Sequence, residues 1–331
     1  MCEMSGVNVA IVGATGLVGQ TFLKVLEERN FPIHHLYCFA SSRSAGKEIT
    51  FKGETYVVEE LTEQSFDYPI DIALFSAGGE VSKKFAPIAV SKGVRVVDNS
   101  SAWRMDPEVA LIVPEVNGDT LTPDDYLIAN PNCSTIQSVV PLRVLHEAYQ
   151  IKRIVYSTYQ AVSGSGIKGL RDLEDGTQKF YPHPITGNCL PHIDIFFDNG
   201  YTKEEIKMIE ETKKILNDQE IKITATTARV PVKYGHCVSM NLEFEKEFEL
   251  DDVYRLLEQV PNLVVHGKEN HLDYPLPIDV AGHDEVHVGR IRKDITDETN
   301  HTLSLFCCGD QIRKGAATNA VQIAESLLTF M

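Results

Sequence analysis

The chain has 331 residues, 43% of them apolar and 24% charged, so it can bury a large core and form two domains. Its formal net charge of −16 disfavours nucleic acid and anionic membranes as partners. No apolar run approaches the about 20 residues of a membrane span, and no signal peptide precedes the first strand-like segment. A cytoplasmic location is therefore expected.

The cysteines and histidines give little support for cross-links or metals. The seven cysteines are scattered from Cys2 to Cys308 and contain no Cys-x-x-Cys pair, so neither disulfides nor structural zinc is expected. His283 and His287 are close in sequence but lack a third ligand at a useful spacing. No metal site is expected.

Residues 7–132 alternate between strand-like apolar runs and helical patterns. In chain order the segments are VNVAIVG, a helix to Arg29, HLYCFAS, TYVVEEL, IDIALFSAG, a helix from Glu80, VRVVDNS and YLIANPN. This alternation predicts an α/β domain with a parallel sheet and helices on both faces.

A glycine-rich turn connects the first predicted strand to the first predicted helix. Without side chains, its backbone can approach a pyrophosphate, and the following helix offers free N–H groups. The spacing GxxGxxG is weak by itself, but its position in the first strand-to-helix turn indicates a Rossmann-type nucleotide-binding domain. The residues assigned to the cofactor here are Gly13, Ala14, Thr15, Gly16, Leu17 and Val18.

The end of the second predicted strand suggests which nucleotide binds. An acidic residue at this point would bind the ribose 2'-hydroxyl of NAD. The chain instead has Ser41, Ser42, Arg43 and Ser44, and an arginine beside hydroxyls suits the 2'-phosphate of NADP. NADP is therefore favoured, with a polar surface loop as the alternative.

Cys133 lies between the strand-like YLIA and a helical stretch, in Asn130-Pro131-Asn132-Cys133-Ser134-Thr135. A cysteine at a helix N-terminus is close to the positive end of the dipole and to amide groups, which favour the nucleophilic thiolate. From this context alone, a packed structural cysteine is equally compatible.

Beyond this helix the pattern changes to longer strands, which predicts an α+β domain with a mixed sheet over residues 133–312. The segments are IKRIVYSTYQAVSG, IKITATTARVPV, HCVSMNLEFE, NLVVHG, EVHVGRIRKD and HTLSLFCCGDQI. A C-terminal helix over residues 313–331 is expected to complete the nucleotide-binding domain of residues 1–132.

Several long motifs, in the same order, resemble the aspartate-semialdehyde dehydrogenases from residue 7 to 325. They are GATGLVG, FASSRSAG, DNSSAWRM, NPNCST, YQAVSGSG, EEIKMIEETKKI, ARVPVKYGH, VGRIRKD and RKGAATNAVQIAE. The resemblance implies NADPH-dependent reductive dephosphorylation of L-aspartyl 4-phosphate through a thioester on Cys133, with inorganic phosphate released. It places the reaction in the pathway to lysine, diaminopimelate, threonine, methionine and isoleucine, and implies a homodimer or homotetramer whose second domain is catalytic and dimerising.

The same resemblance assigns roles to residues that would otherwise be interpreted as structural. His236 would be the acid-base residue, and Gln160 would lie beside the reacting carbonyl. The residues assigned to the substrate are Arg229 for its carboxylate, Glu204 for its ammonium, and Arg104, Lys207 and Asn132 for its phosphate. Ser163, Gly164 and Asn319 join the cofactor residues.

Two points in this assignment depend on local geometry. Seven positions separate Arg229 from His236, and a continuous strand would send their side chains to opposite faces. Pro231 and Gly235 suggest that the strand breaks between them. On the helix, Thr202 and Glu205 fit a capping box, which leaves Glu204 for the substrate; a solvated ion pair with Lys207 is the alternative.

A rival within the same chemistry is another acyl-phosphate reductase, such as N-acetylglutamyl-phosphate reductase. That enzyme class needs no site for a free ammonium group, so Glu204 argues against it. A catalytically inactive NADP-binding relative is the rival outside enzymes, and the presence of both Cys133 and His236 argues against it.

Overall fold

The computed structural model describes residues 6–331; Cys2 lies outside the described residues. The chain forms two compact units. The first unit comprises the chain up to Pro131 together with Ala316–Met331, and the second unit comprises Asn132–Gly315.

The strands alternate with helices in the first unit and are longer in the second. In chain order they are β1 Val7–Val12, β2 Ile33–Ala40, β3 Glu48–Phe51, β4 Glu54–Val57, β5 Glu59–Glu60, β6 Ile72–Phe75, β7 Arg95–Asp98, β8 Ala110–Leu111, β9 Leu127–Ala129, β10 Ile151–Gln160, β11 Lys222–Arg229, β12 His236–Phe244, β13 Leu263–Val265, β14 Val286–Lys293 and β15 Thr302–Gly309.

The α-helices connect these strands, and the last one returns to the first unit. In chain order they are α1 Leu17–Glu28, α2 Gly79–Ser91, α3 Pro114–Asn117, α4 Cys133–Tyr149, α5 Gly166–Glu174, α6 Lys203–Leu216, α7 Leu250–Leu257, α8 Pro277–Val280 and α9 Thr318–Leu327. No helix among residues 6–331 is long and apolar enough to cross a membrane.

The first unit has the predicted parallel sheet. Its seven strands have the order β5-β2-β1-β6-β7-β9-β8, and each neighbouring pair is parallel. Side chains alternate across β1, so Val9 and Ile11 pack in one core with residues of α1 and α9, while Ala10 and Val12 pack in another with α2. The predicted helices on both faces are confirmed.

The second unit contains the predicted mixed sheet. Its six strands have the order β11-β10-β12-β15-β14-β13. The pairs β10–β11 and β13–β14 are parallel, and the three pairs between them are antiparallel. The expected α/β plus α+β architecture is therefore confirmed.

The C-terminal segment starts with an irregular turn. Residues Arg313–Ala317 form a π-helical turn, and regular α-helix begins only at Thr318. Within the first unit, α9 packs beside α1, and Arg29 forms a bidentate pair with Glu325 at 2.8 and 2.7 Å.

Candidate active site

The glycine turn after β1 has no room for a side chain at Gly13 or at Gly19. Gly13 has a φ of +92°, and a Cβ there would lie 2.4 Å from the carbonyl oxygen of Ser76. A Cβ at Gly19 would lie 2.2 Å from the carbonyl oxygen of Gly13. Helix α1 then begins after Gly16 without a side-chain cap and without an acidic residue in its first turn. This backbone suits the pyrophosphate of a dinucleotide.

The turn after β2 lies against the glycine turn. The backbone N–H groups of Gly13 and Ala14 donate to the carbonyl oxygen of Phe39 at 2.8 and 3.1 Å. The Thr15 hydroxyl donates to Ser44 Oγ at 3.3 Å. Arg43 lies in the short 3₁₀ turn Ser42–Ser44 and is exposed. The structure thus brings the two sequence-predicted cofactor segments together.

Arg104 and Asn319 contact the backbone of the first unit. Arg104 donates from Nε to the carbonyl oxygen of Asn130 at 2.9 Å and from Nη2 to that of Asn99 at 3.0 Å. The Asn319 amide donates to the carbonyl oxygen of Ile112 at 2.9 Å and to Asn130 Oδ1 at 2.7 Å. Both side chains therefore order loops at the strand ends, and their ligand roles stay predictions.

Cys133 is the first residue of α4, as its sequence context predicts. Asn132 is the N-cap, and its Oδ1 accepts from the backbone N–H of Ser134 at 2.9 Å and of Thr135 at 3.3 Å. The thiol is half-buried. A Cβ on Gly315 would lie 2.9 Å from Cys133 Cβ, so the space beside the nucleophile depends on that glycine.

Two buried carboxylates of α6 hold this N-cap. Glu204 Oε1 accepts from Asn132 Nδ2 at 2.9 Å, and Glu211 Oε2 accepts from the Asn132 backbone N–H at 2.6 Å. The two glutamates are 6% and 1% exposed. Sequence reasoning missed Glu211, although its position two helical turns after Glu204 places both on one face.

Glu204 also forms an ion pair with Lys207, and Lys207 forms a second ion pair with Asp194. Lys207 Nζ lies 3.1 Å from Glu204 Oε2 and 2.8 Å from Asp194 Oδ2. Burial opposes the ionisation of Glu204, but the Lys207 charge and the hydrogen bonds from Asn132 and Gln160 outweigh it and lower the Glu204 pKa to about 2. Asp194 was not foreseen, and the alternative of a solvated ion pair is wrong for Glu204.

The capping box predicted at the start of α6 is confirmed. Thr202 Oγ1 accepts from the backbone N–H of Glu205 at 3.3 Å, and Glu205 Oε2 accepts from the backbone N–H of Thr202 at 2.7 Å. Glu205 thus has a structural role, and Glu204 is left to face the group around Cys133.

Gln160 ends β10 with a fully buried side chain. Its Nε2 donates to Glu204 Oε1 at 3.1 Å and to the hydroxyl of Ser134, the residue after the nucleophile. Its Oε1 has no hydrogen-bond partner. In this arrangement the Gln160 amide nitrogen is already engaged, and the carbonyl oxygen is the atom available to a ligand.

The backbone of one residue, Ala161, orients both His236 and Arg229. Its N–H donates to His236 Nδ1 at 3.0 Å, and its carbonyl oxygen accepts from Arg229 Nη1 at 2.7 Å. Because Nδ1 is an acceptor, the neutral ring carries its hydrogen on Nε2. His236 Nε2 and Arg229 Nε are buried without a partner, which leaves two polar atoms for a ligand. Sequence reasoning did not find Ala161, because any residue except proline supplies the same backbone N–H and carbonyl groups.

Burial and charge keep His236 neutral. The residue is 1% exposed. Burial, followed by the nearby Arg229 charge, holds the His236 pKa well below its usual range, and the opposing Glu204 charge does not compensate. A neutral imidazole can donate one hydrogen bond from Nε2 without carrying a permanent charge.

The chain breaks between Arg229 and His236 as predicted. β11 ends at Arg229 and β12 starts at His236, with Gly235 at a φ of +86°. The Gly235 N–H donates to Gln311 Oε1 at 2.9 Å, and the Gln311 amide donates to the hydroxyl of Ser163. A predicted cofactor residue, Ser163, therefore also supports the turn that aims His236.

Gly164 borders the side chains of Arg229 and His236. A Cβ at this position would lie 2.8 Å from Arg229 Nη1 and 3.0 Å from His236 Nε2. The second unit thus brings together Asn132, Cys133, Gln160, Ser163, Gly164, Glu204, Lys207, Arg229 and His236. Arg104, Asn319 and the two nucleotide segments lie in the first unit. In residues 6–331, no group of three or more His, Cys, Asp or Glu residues could hold a metal ion.

Comparisons with known proteins agree over almost the whole chain. Residues 8–123 match the family described as semialdehyde dehydrogenase, NAD binding domain, and residues 142–314 match semialdehyde dehydrogenase, dimerisation domain. An aspartate-semialdehyde dehydrogenase of Aquifex aeolicus is 53% identical and is covered over 98% of each chain.

Solved structures show the same similarity. Aspartate semialdehyde dehydrogenase II of Vibrio cholerae complexed with ASA is 44% identical, with a TM-score of 0.93 over 98% of each chain. Aspartate semialdehyde dehydrogenase of Candida albicans with NADP is 27% identical, with a TM-score of 0.78 over 98% of this chain and 99% of the other.

Proposed function

The chain belongs to the aspartate-semialdehyde dehydrogenase family, and we propose that it converts L-aspartyl 4-phosphate to L-aspartate 4-semialdehyde through a thioester on Cys133. The observation that carries the mechanism is that Cys133 begins a helix in the same unit as two buried polar atoms that have no hydrogen-bond partner, His236 Nε2 and Arg229 Nε. The activity belongs to the family; the covalent route and the roles of residues are our proposals.

The first half of the reaction uses Cys133. Its thiolate, favoured by the N-terminus of α4, attacks the acyl carbon; the C–S bond forms, the C–O bond to phosphate breaks, and phosphate leaves. The hydrogen on His236 Nε2 stabilises the negative charge on the acyl oxygen. NADPH held at the glycine turn after β1 would supply the hydride for reduction of the thioester's acyl carbon. The neutral imidazole then supports release of the aldehyde as the thiolate departs.

Recognition of the amino-acid end belongs to Arg229 and Glu204 in this proposal. Arg229 Nη1 is held by Ala161, so Nε and the rest of the guanidinium can pair with the substrate carboxylate. Glu204 stays ionised because its pKa is lowered to about 2 by the Lys207 charge and by hydrogen bonds, which together outweigh burial. Its negative charge suits the substrate ammonium. Lys207, Arg104 and Asn132 are proposed for the phosphate.

The amino-acid end also provides a test. Arg229→Lys keeps the charge but removes Nε and the planar fork, so we expect kcat/KM to fall at least about tenfold, equivalent to roughly 1.4 kcal/mol. Phosphate saturation should stay unchanged. Arg255→Lys, at a side chain that is 67% exposed, is the matched control and should leave kinetics unaffected. If Arg229→Lys weakened only phosphate saturation, Arg229 would belong to the phosphate site.

Cofactor choice is assigned to the turn that carries Arg43. Arg43→Ala should weaken NADPH binding by about 1 to 3 kcal/mol, the range for losing a charged hydrogen bond, and leave NADH binding nearly unchanged. Titrating both nucleotides by fluorescence measures the ratio. Lys24→Ala removes an exposed cation from the same unit without touching the turn and should not change it. Equal affinity of the unmodified protein for both nucleotides contradicts this assignment.

Assembly, location and pathway are proposals that the family supports. We propose a homodimer or homotetramer, supported by the match to a dimerisation domain and by the exposed apolar run Ile195, Phe196 and Phe197 within it. The cytoplasmic location and the pathway to lysine, threonine, methionine and isoleucine stay predictions. The first unit would hold the nucleotide, and the second would carry catalysis.

A reverse-direction assay tests the proposed function. Purified protein supplied with L-aspartate 4-semialdehyde, phosphate and NADP should form NADPH at a rate that saturates with each of the three. N-acetylglutamate semialdehyde, the substrate of the rival reductase, should be at least about a hundredfold poorer, because its acylated nitrogen carries no charge for Glu204. The opposite preference would select the rival.

A further inference from the structure

A pair of cysteines, distinct from the proposed nucleophile Cys133, lies in the second unit. Cys237 on β12 and Cys308 on β15 are directly opposite each other in the antiparallel pair. Their Sγ atoms are 2.9 Å apart, which is closer than two unbonded sulfur atoms normally rest. The two residues are 4% and 0% exposed.

The neighbours of this pair isolate it from other thiols. Cys237 and Cys308 pack with Val280 and Phe306 in a small apolar cluster. Cys307, the residue before Cys308, points to the other face of the sheet, where its Sγ lies 3.5 Å from the Gln137 carbonyl oxygen. The pair is therefore specific: Cys308 faces Cys237, and Cys307 does not.

We propose that Cys237 and Cys308 are a redox modification site, which a peroxide converts into a cross-strand disulfide. One sulfur attacks the peroxide O–O bond and becomes a sulfenic acid as water is released. The second thiol then displaces the sulfenic oxygen as a second water. In sum, two thiols and one hydrogen peroxide give one disulfide and two waters, and a thiol reductant reverses the change.

The geometry favours closure of this pair over further oxidation. A disulfide has an S–S length of about 2.05 Å, so the sulfurs need to approach by less than about 1 Å, and the strands are already in register. Because both cysteines are buried, a small peroxide can reach them more readily than a bulky disulfide that acts as an oxidant.

The bond would form one residue from the proposed catalytic histidine. His236 and Cys237 are consecutive on β12 and point to opposite faces, so the disulfide ties the start of β12 to β15 behind His236. It would constrain the unfolded chain across residues 237–308. We therefore expect a rise in melting temperature of at least about 3 °C on oxidation, reversed by dithiothreitol.

Mass spectrometry of the peroxide-treated chain tests the proposal. Brief hydrogen peroxide treatment, alkylation of the remaining thiols and digestion without reductant should yield one linked peptide pair that contains Cys237 and Cys308. Cys307→Ala should retain the link, and Cys308→Ala should lose both the link and the gain in melting temperature. Recovery of Cys237 and Cys308 as alkylated thiols while Cys133 or Cys189 is oxidised would overturn the proposal. So would a sulfinic acid at Cys237 or a link between chains. The peroxide-treated unmodified chain by itself shows whether the Cys237–Cys308 link forms, so the conclusion stands even if a variant folds poorly.

Discussion

Cys133→Ala is expected to reduce turnover by at least about 10⁴-fold, because it removes the atom that forms the covalent intermediate. The alanine keeps Cβ, so the contact beside Gly315 and the N-cap formed by Asn132 remain. Nucleotide binding should stay within about twofold, since the glycine turn belongs to the first unit. Steady-state kinetics and NADPH fluorescence titration measure the two effects.

Two further variants control this result. Cys133→Ser should retain at most a trace of activity, because a serine hydroxyl is hardly ionised near neutral pH, which makes it a much poorer nucleophile than a thiolate, and its ester is harder to reduce. Cys189→Ala, at an exposed cysteine, should be as active as the unmodified chain. If stoichiometric alkylation of Cys133 left activity intact, the thioester route would be wrong.

His236→Ala is expected to lower kcat by about 10² to 10³-fold, the usual contribution of one hydrogen-bond donor to the oxygen that becomes charged. His236→Gln can present an N–H near the position of Nε2 and should recover about tenfold of this loss. Equal activity of the alanine and glutamine variants would contradict a role as a hydrogen-bond donor.

The lowered pKa of His236 also predicts how stability depends on pH. Burial and the Arg229 charge lower its pKa in the folded chain below the usual value of about 6.5, so the unfolded chain binds the proton first as the pH falls. The contribution of His236 to stability is therefore complete above about pH 6.5 and decreases below it. His146 and His287 have lowered pKa values too, mainly through burial, so the difference between the unmodified chain and His236→Gln isolates the effect. If the two chains lost stability in parallel from pH 7 to 5, His236 would not be held neutral.

Much of the fold was predictable because its signals are local. The alternation of strands and helices over residues 7–132 predicts the parallel sheet, and the glycine turn has a shape that few sequences allow. The break between Arg229 and His236 was predictable from Pro231 and Gly235, since Gly235 adopts a positive φ.

The supporting residues of the site were harder to predict, because tertiary packing decides their burial. Helix α6 has charged residues all along it, and its sequence does not reveal that Glu204 and Glu211 face inward to hold Asn132. Asp194 lies in a loop, and only the fold brings it to Lys207. The family resemblance assigns Glu204 to the substrate by its position, whereas the charge pattern of α6 by itself also allows a solvated ion pair with Lys207.

The thioester itself can be measured without phosphate. Rapid mixing of the protein with L-aspartate 4-semialdehyde and NADP, in phosphate-free buffer, should give a burst of about one NADPH per active site and then nearly stop, since no phosphate is present to release the acyl group. Mass spectrometry of the quenched protein should find the aspartyl group on the peptide that contains Cys133, and later addition of phosphate should restart turnover. A reaction that forms no NADPH until phosphate is added, and leaves Cys133 unmodified, would contradict the covalent mechanism.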